Sequence, residues 1–189
     1  MNTFMKSILA AKLALSFGAS AELVSSDRYV ENDSKAVLDT ETGLEWLSLS
    51  ETRLADVAGG SLSDKINSLA SANEGWRVAT YDEVEELFFN SFGTLNMTGI
   101  GVSNSDFITF LSHFETSSKF DSHYGLGLYY NDEGGILSSG TSTWVSGGVT
   151  IHGSILSYTG SDSKLRGSNT VYNSVYLVNS GNVTYSSLN

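Results

Sequence analysis

Apolar residues recur with a helical period at three places along the chain. Leu62, Ile66 and Leu69 follow the possible caps Ser61 and Ser63, and that spacing predicts a short helix. A second run carries Val84, Leu87 and Phe88 behind Thr80, with Glu83 three residues after the threonine. Thr80 and Glu83 form a capping-box pattern, in which a hydroxyl and a carboxylate satisfy each other's orphan amides, and Ala79 and Val84 are placed as a hydrophobic staple. This helix is expected to reach about Asn90, with Asp82, Glu83 and Glu85 in water and its acidic first turn matched to the helix dipole. Phe107, Phe110, Leu111 and Phe114, spaced i, i+3, i+4 and i+7, predict a third helix.

Elsewhere the pattern is that of strands. Tyr29-Val30 and Ala36-Val37-Leu38 read as opening strands, and Asp39 to Gly43 as a turn that delivers Leu44-Glu45-Trp46-Leu47. Trp76-Arg77-Val78 is extended and stops at the Thr80 cap. From His123 the period becomes two: Tyr124, Leu126, Leu128 and Tyr130 alternate with His123, Gly125, Gly127 and Tyr129. Glycines on one face of such a strand admit close neighbours. Asn131 to Gly135 is a turn, Ile136-Leu137 begins the return, and further short strands are expected at Thr143-Trp144-Val145, Val149-Thr150-Ile151, Val175-Tyr176-Leu177-Val178 and Val183-Thr184-Tyr185. Ser157 to Asn169 reads as a long loop, and no internal repeat is present.

Composition narrows the setting. Residues 1–21 have the order of a secretion signal: Lys6, an apolar stretch from Ile8 to Phe17 interrupted by Lys12, then Ala19-Ser20-Ala21 as a cleavage site before Glu22. Residues 22–189 then form a single domain, long enough to bury roughly 70% of its unfolded surface. The formal charge of −11 becomes about −13 once Lys6 and Lys12 are removed. Such acidity repels phosphate backbones and anionic lipids, which argues against nucleic acid and membrane partners. No later stretch has the apolar length of a membrane span. With no cysteine there is no disulfide framework or thiolate metal site, and with no proline glycine and serine must make the turns.

Two segments carry a resemblance. Thr42-Gly43-Leu44-Glu45-Trp46-Leu47 followed by Glu51-Thr52, and Gly75-Trp76-Arg77-Val78-Ala79-Thr80 followed by Glu83-Val84-Glu85-Glu86-Leu87-Phe88, are similar to a group of bacterial secreted and surface proteins related to the Lcl C-terminal domain, named for a collagen-like adhesin. Many of that group are sorted by the exosortase (PEP-CTERM) pathway. Ser174 to Val178 resembles the group's closing strand. The resemblance implies an α+β fold distantly like the C-type lectins, with two or three short helices beside small antiparallel sheets and long loops, and a task in adhesion or glycan recognition. Ala79 stands where the group usually has proline, and the group's C-terminal sorting motif and anchor helix are missing, which implies either release from the cell or a fragment.

Residues with chemical potential are few. His113, His123 and His152 are the only histidines and no two share metal-ligand spacing on one element, although His123 and His152 could face each other across a sheet. No nucleophile elbow, zinc-protease helix, P-loop or EF-hand pattern occurs, and the acidic run Asp82 to Glu86 reads as a solvated helix face rather than a glycosidase pair. No catalytic residue is therefore assigned. The E-P-N loop of calcium-dependent lectins is impossible without proline; a calcium site built from Asn131, Asp132 and Glu133 is the alternative to a plain polar turn. Trp46 and Trp76 are expected in the core, with Arg77 partly buried against a carboxylate such as Asp39 or Glu45. Trp144, among Ser, Thr and Gly, suits stacking on a sugar face and equally a satellite core under the loops. The expected ligand-binding residues are Tyr130, Asn131, Asp132, Glu133 and Trp144, and the expected partner is an extracellular glycan or surface polymer. A structural protein of an extracellular matrix or biofilm is the second reading, and a secreted hydrolase the third.

Overall fold

A computed structural model describes residues 22–58, 60–93, 104–116, 124–146, 149–159 and 173–179. The expected signal segment, His123 and the strand expected at Val183 to Tyr185 lie outside the described residues. Among the described residues the architecture is α+β, with three α-helices beside two small sheets.

Each helix stands where the apolar spacing places it. Helix α1 spans Leu62–Ala72, buries Ile66 and Leu69, and opens on a capping box between Ser61 and Asp64. Helix α2 spans Tyr81–Phe92 and buries Val84, Leu87 and Phe88. Its first turn is closed by Glu83 Oε2, which accepts from the Thr80 amide at 2.9 Å, while Thr80 Oγ1 accepts from the Glu83 amide at 3.4 Å. It ends at Gly93, whose φ of 66° is the left-handed conformation that glycine enters without a Cβ clash. Helix α3 spans Asn104–Phe114 and buries Phe110 and Phe114.

The first sheet has the order β1 (Leu23–Ser26), β2 (Ala36–Asp39), β3 (Glu45–Leu47), β9 (Leu177–Asn179), β4 (Trp76–Val78), with every pairing antiparallel. The second has the order β7 (Val149–Thr159), β6 (Ile136–Ser146), β5 (Tyr124–Tyr130), β8 (Asn173–Val175), in which β5 and β8 run parallel. The segment expected as one closing strand, Val175 to Val178, serves both sheets. At Tyr176 the chain leaves β8 and enters β9; its amide donates to Leu128 O, and its carbonyl accepts from the Ala79 amide, both at 2.9 Å. Around this crossing lie two packed clusters. One holds Trp46, Phe88, Phe110, Phe114, Tyr129 and Tyr176; the other holds Leu47, Leu54, Ile66, Trp76, Leu128 and Leu177. Trp46 and Trp76 are core residues, as their motif strands imply.

Three strand assignments change. Ile136-Leu137 and Thr143-Trp144-Val145 belong to one continuous strand, β6, and β7 runs on from Val149 to Thr159, so the first three residues of the expected Ser157 loop are strand. Tyr29-Val30 is no strand. The opening strand lies earlier, at Leu23–Ser26, and residues 27–35 form a loop whose amides are taken by two aspartates rather than by a neighbouring strand. Asp33 accepts from the amides of Arg28, Tyr29, Val30 and Lys35, and Asp27 from those of Asn32 and Ser34. Carboxylates that satisfy so many local donors offer the backbone an alternative to a ladder.

Candidate functional site

The residues expected to bind do not form one site. Tyr130 closes β5, and Asn131 to Gly135 is the tight turn into β6. Asn131 organises that turn: its Oδ1 accepts from the amides of Glu133 at 3.1 Å and Gly135 at 2.6 Å, and its own amide donates to Gly135 O at 2.9 Å. The oxygen it would offer a cation is therefore committed to the backbone. Asp132 and Glu133 are exposed. The Tyr130 hydroxyl reaches Asn67 of α1 at 3.5 Å. Trp144 is eight residues along β6 from Ile136, the partner of Tyr130, which places it about 27 Å from the turn at strand rise. Its opposite number in the ladder is His152, beside a bulge at Trp144/Val145. His152 pairs in register with Trp144, while His123, its expected counterpart, lies outside the described residues.

Arg77 pairs with a carboxylate as expected, but with neither of the two named as examples. Its carboxylate partner is Glu83, six residues on, at 2.8 Å, and its side chain is 45% exposed. The two expected partners are engaged elsewhere. Asp39, fully buried, accepts from Asn90 Nδ2, and Glu45 accepts from Ser26 and Asn179. Burial raises the Glu83 pKa and the hydrogen bonds from Arg77 and Thr80 lower it; the bonds win and the carboxyl lies below its ordinary value.

A polar cleft of about 170 Å³ opens where the start of β1, the end of α2 and one face of α3 meet. Glu22, Asn90, Ser91, Asp106, Thr109 and His113 line it over Leu23 and Phe110. Two lining residues are held by the turn of the Asp39 to Gly43 motif. Asp39 Oδ1 accepts from the amides of Glu41 and Thr42, which fixes the turn, and Oδ2 accepts from Asn90 Nδ2 at 3.0 Å. Next to it Thr40 grips Glu22: its Oγ1 accepts from the Glu22 amide at 3.1 Å and donates to the Glu22 carbonyl at 3.0 Å, and that carbonyl also accepts from the Thr40 amide at 3.1 Å. On the α3 side, His113 Nδ1 lies 3.4 Å from Ser25 Oγ. That contact sits at the long limit of a hydrogen bond. Among the described residues no carboxylate bonds to His113, so no third group orients the imidazole as a base would require. Nor does any group of three or more His, Asp or Glu converge as metal ligands among the described residues.

Comparison with protein-family models, with curated proteins and with solved structures finds no match. The site must be read from its own chemistry. An amide, two carboxylates, two hydroxyls and an imidazole over an apolar floor suit a ligand that presents both hydrogen-bond donors and acceptors. None of these lining residues is among those expected to bind. The sequence signal for part of the set is the stripe Asp106, Thr109, His113, spaced i, i+3 and i+7 on the polar side of α3. Glu22 and Asn90 join it only through tertiary contacts. Among the described residues no helix is long and apolar enough to cross a membrane.

Proposed function

We propose that the chain is a secreted, non-enzymatic module, C-type-lectin-like in kind, that recognises an extracellular glycan or surface polymer. The observation that carries this reading is the way the Asp39-Thr40 turn fixes Asn90 and Glu22 at a shallow polar cleft. Sugar hydroxyls donate and accept at once, and the cleft offers both functions, with the Asn90 amide and the Glu22 backbone held in place before the ligand arrives. Preorganisation of this kind lowers the ordering cost of binding. A small ligand in an open cleft makes few contacts, so single-site affinity is weak and firm attachment relies on repeated sites along a polymer.

A glycan array tests the reading. Wild-type protein is expected to retain a limited set of neutral oligosaccharides, and Asp106→Ala combined with Thr109→Ala, which leave the Asp39–Asn90 bond in place, to lose that retention with an unchanged circular dichroism spectrum. If no glycan is retained with or without calcium, the glycan reading fails.

A second reading, a structural protein of an extracellular matrix, is favoured by one feature. From Gly134 to Ser161 there is no Asp, Glu, Lys or Arg, and the paired strands β6 and β7 lie within this span. β7 is the edge of the four-stranded sheet, and an edge strand without charged residues on an acidic protein lacks the charges that ordinarily discourage strand-to-strand association.

A further inference from the structure

The loop of residues 27–35 is more elaborate than a connection between β1 and β2 requires. Six backbone amides are clamped by Asp27 and Asp33, and within the same nine residues Asn32 (φ 66°) and Ser34 (φ 51°) take the left-handed conformation without being glycine. Non-glycine residues in that region carry strain, which gathers where a surface must be held in one shape. At the loop's start Arg28 is 7% exposed and hydrogen-bonded to Asn73 at the end of α1, with Glu51 3.8 Å away. Its guanidinium lies 3.6 Å from the centroid of the Tyr29 ring. Burial pushes the guanidinium down to about 10, against the upward pull of Glu51 and Asp33. Stapling the loop to α1 explains Arg28. The Tyr29 hydroxyl joins that staple, donating to Asn73 Oδ1 at 3.4 Å, but this holds only the tip of the side chain: it does not explain a ring that stays 60% exposed, followed by Val30 at 61%.

We propose that Tyr29 is a sugar-stacking platform: one face of its ring rests on Arg28 and the other receives the C–H face of a pyranose in a neutral glycan, with Val30 extending the apolar contact. A rigid aromatic face presents a large contact area at little entropic cost. The chemistry of the surroundings selects the ligand. Asp27, Glu31 and Asp33 in the same loop, on a chain of formal charge −11, repel acidic polysaccharides and phosphate backbones. Two exposed side chains are far short of the roughly 800 Å² per partner that a stable protein interface uses. A single sugar ring fits that area.

The platform shares its ligand class with the proposed function and rests on that reading in class only, because its residues are separate from those of the cleft. Leu23 lines the cleft at the start of β1, and the loop begins after Ser26 at the strand's other end.

Amide chemical shifts of the whole chain, titrated with β-1,4-linked glucose, α-1,4-linked glucose and N-acetylglucosamine hexamers, test the proposal. At least one hexamer is expected to shift the amides of Arg28 to Ser34. Tyr29→Ala should weaken that response by on the order of tenfold, and Tyr29→Phe should preserve it. The Asp27 and Asp33 clamps do not involve the ring, so both variants should keep the wild-type spectrum elsewhere. Shifts confined to Asn90, Thr109 and His113 would overturn the platform and leave the proposed function standing. Loop shifts of wild-type size in Tyr29→Ala would also overturn it. No shift at either place with any hexamer would count against both, and loop shifts that track protein concentration without sugar would replace the platform with self-association.

Discussion

Tyr176 and Gly127 show how much a single position determines here. Tyr176 is fully buried, meets Trp46, Phe88 and Phe114 edge-on at centroid distances of 6.0, 6.4 and 6.3 Å, and occupies the space that a side chain at position 127 would need. A Cβ added to Gly127 would lie 2.4 Å from the Tyr176 ring. The ring cannot swing away, because three aromatic neighbours hold it. Gly127→Ala is therefore expected to cost about 3 kcal/mol, at the upper end of overpacking effects, and to lower Tm by roughly 6–12 °C in a thermal melt followed by circular dichroism. A change of less than about 2 °C would show that the packing is looser than described. The alternation of Tyr124 to Tyr130 makes close approach on the glycine face legible in the sequence. What approaches is not legible, because Tyr176 comes from a segment 49 residues away along the chain, counting from Gly127.

At the scale of elements, the clearest local patterns are also the most faithful. Thr80 and Glu83 form the capping box that their spacing implies, and Ser61 caps α1, because a cap is decided within four residues and needs no distant partner. The identity of Arg77's partner and the state of Tyr29-Val30 escape the sequence for the opposite reason. The partner of Arg77 depends on how β4 abuts α2, and the nearest carboxylate in space is the cap residue itself. Tyr29-Val30 looks like strand until Asp27 and Asp33 absorb the amides, although Asp27, Asn32, Asp33 and Ser34 together are turn formers that signal a loop. The start of α2 carries a pH prediction. Because the folded-state pKa of Glu83 lies below its ordinary value of 4.5, its contribution to stability is complete above that value and is lost as pH falls through the lower, folded value. Thermal melts between pH 7 and pH 3 should show a decline beginning below about pH 4.5 that is shallower in Glu83→Gln. At pH 7 Glu83→Ala should cost about 1 kcal/mol through loss of the cap, and Arg77→Ala less, since a half-exposed ion pair contributes little. An Arg77→Ala cost exceeding that of Glu83→Ala would reverse this order and place the main role on the ion pair.

The whole molecule is held by a short crossing. β8 lies beside β5 in one sheet and β9 lies between β3 and β4 in the other, and only Tyr176 separates them. Further bonds tie the sheets at the same place. Ala79 donates to Tyr176 O and accepts from the Tyr130 amide, while Ser174 Oγ donates to Leu49 O and the Val175 amide to Thr52 Oγ1. Because one segment of seven residues, Asn173 to Asn179, supplies a strand to each sheet, neither sheet can lose it and remain complete. The motif turn adds a second tie, since Asp39 joins β2 to α2 through Asn90 in the same bond that shapes the cleft. The two packed clusters should then melt together. Differential scanning calorimetry is expected to show one transition with equal calorimetric and van't Hoff enthalpies. Substituting Val175 in one cluster or Val178 in the other with Ala should lower that single Tm without splitting it, by an amount set by the 1 kcal/mol or so per buried methylene plus the cavity left behind. Two resolved transitions, one sensitive to Val175→Ala and the other to Val178→Ala, would mean that the sheets fold independently and that the crossing is a linker rather than a keystone.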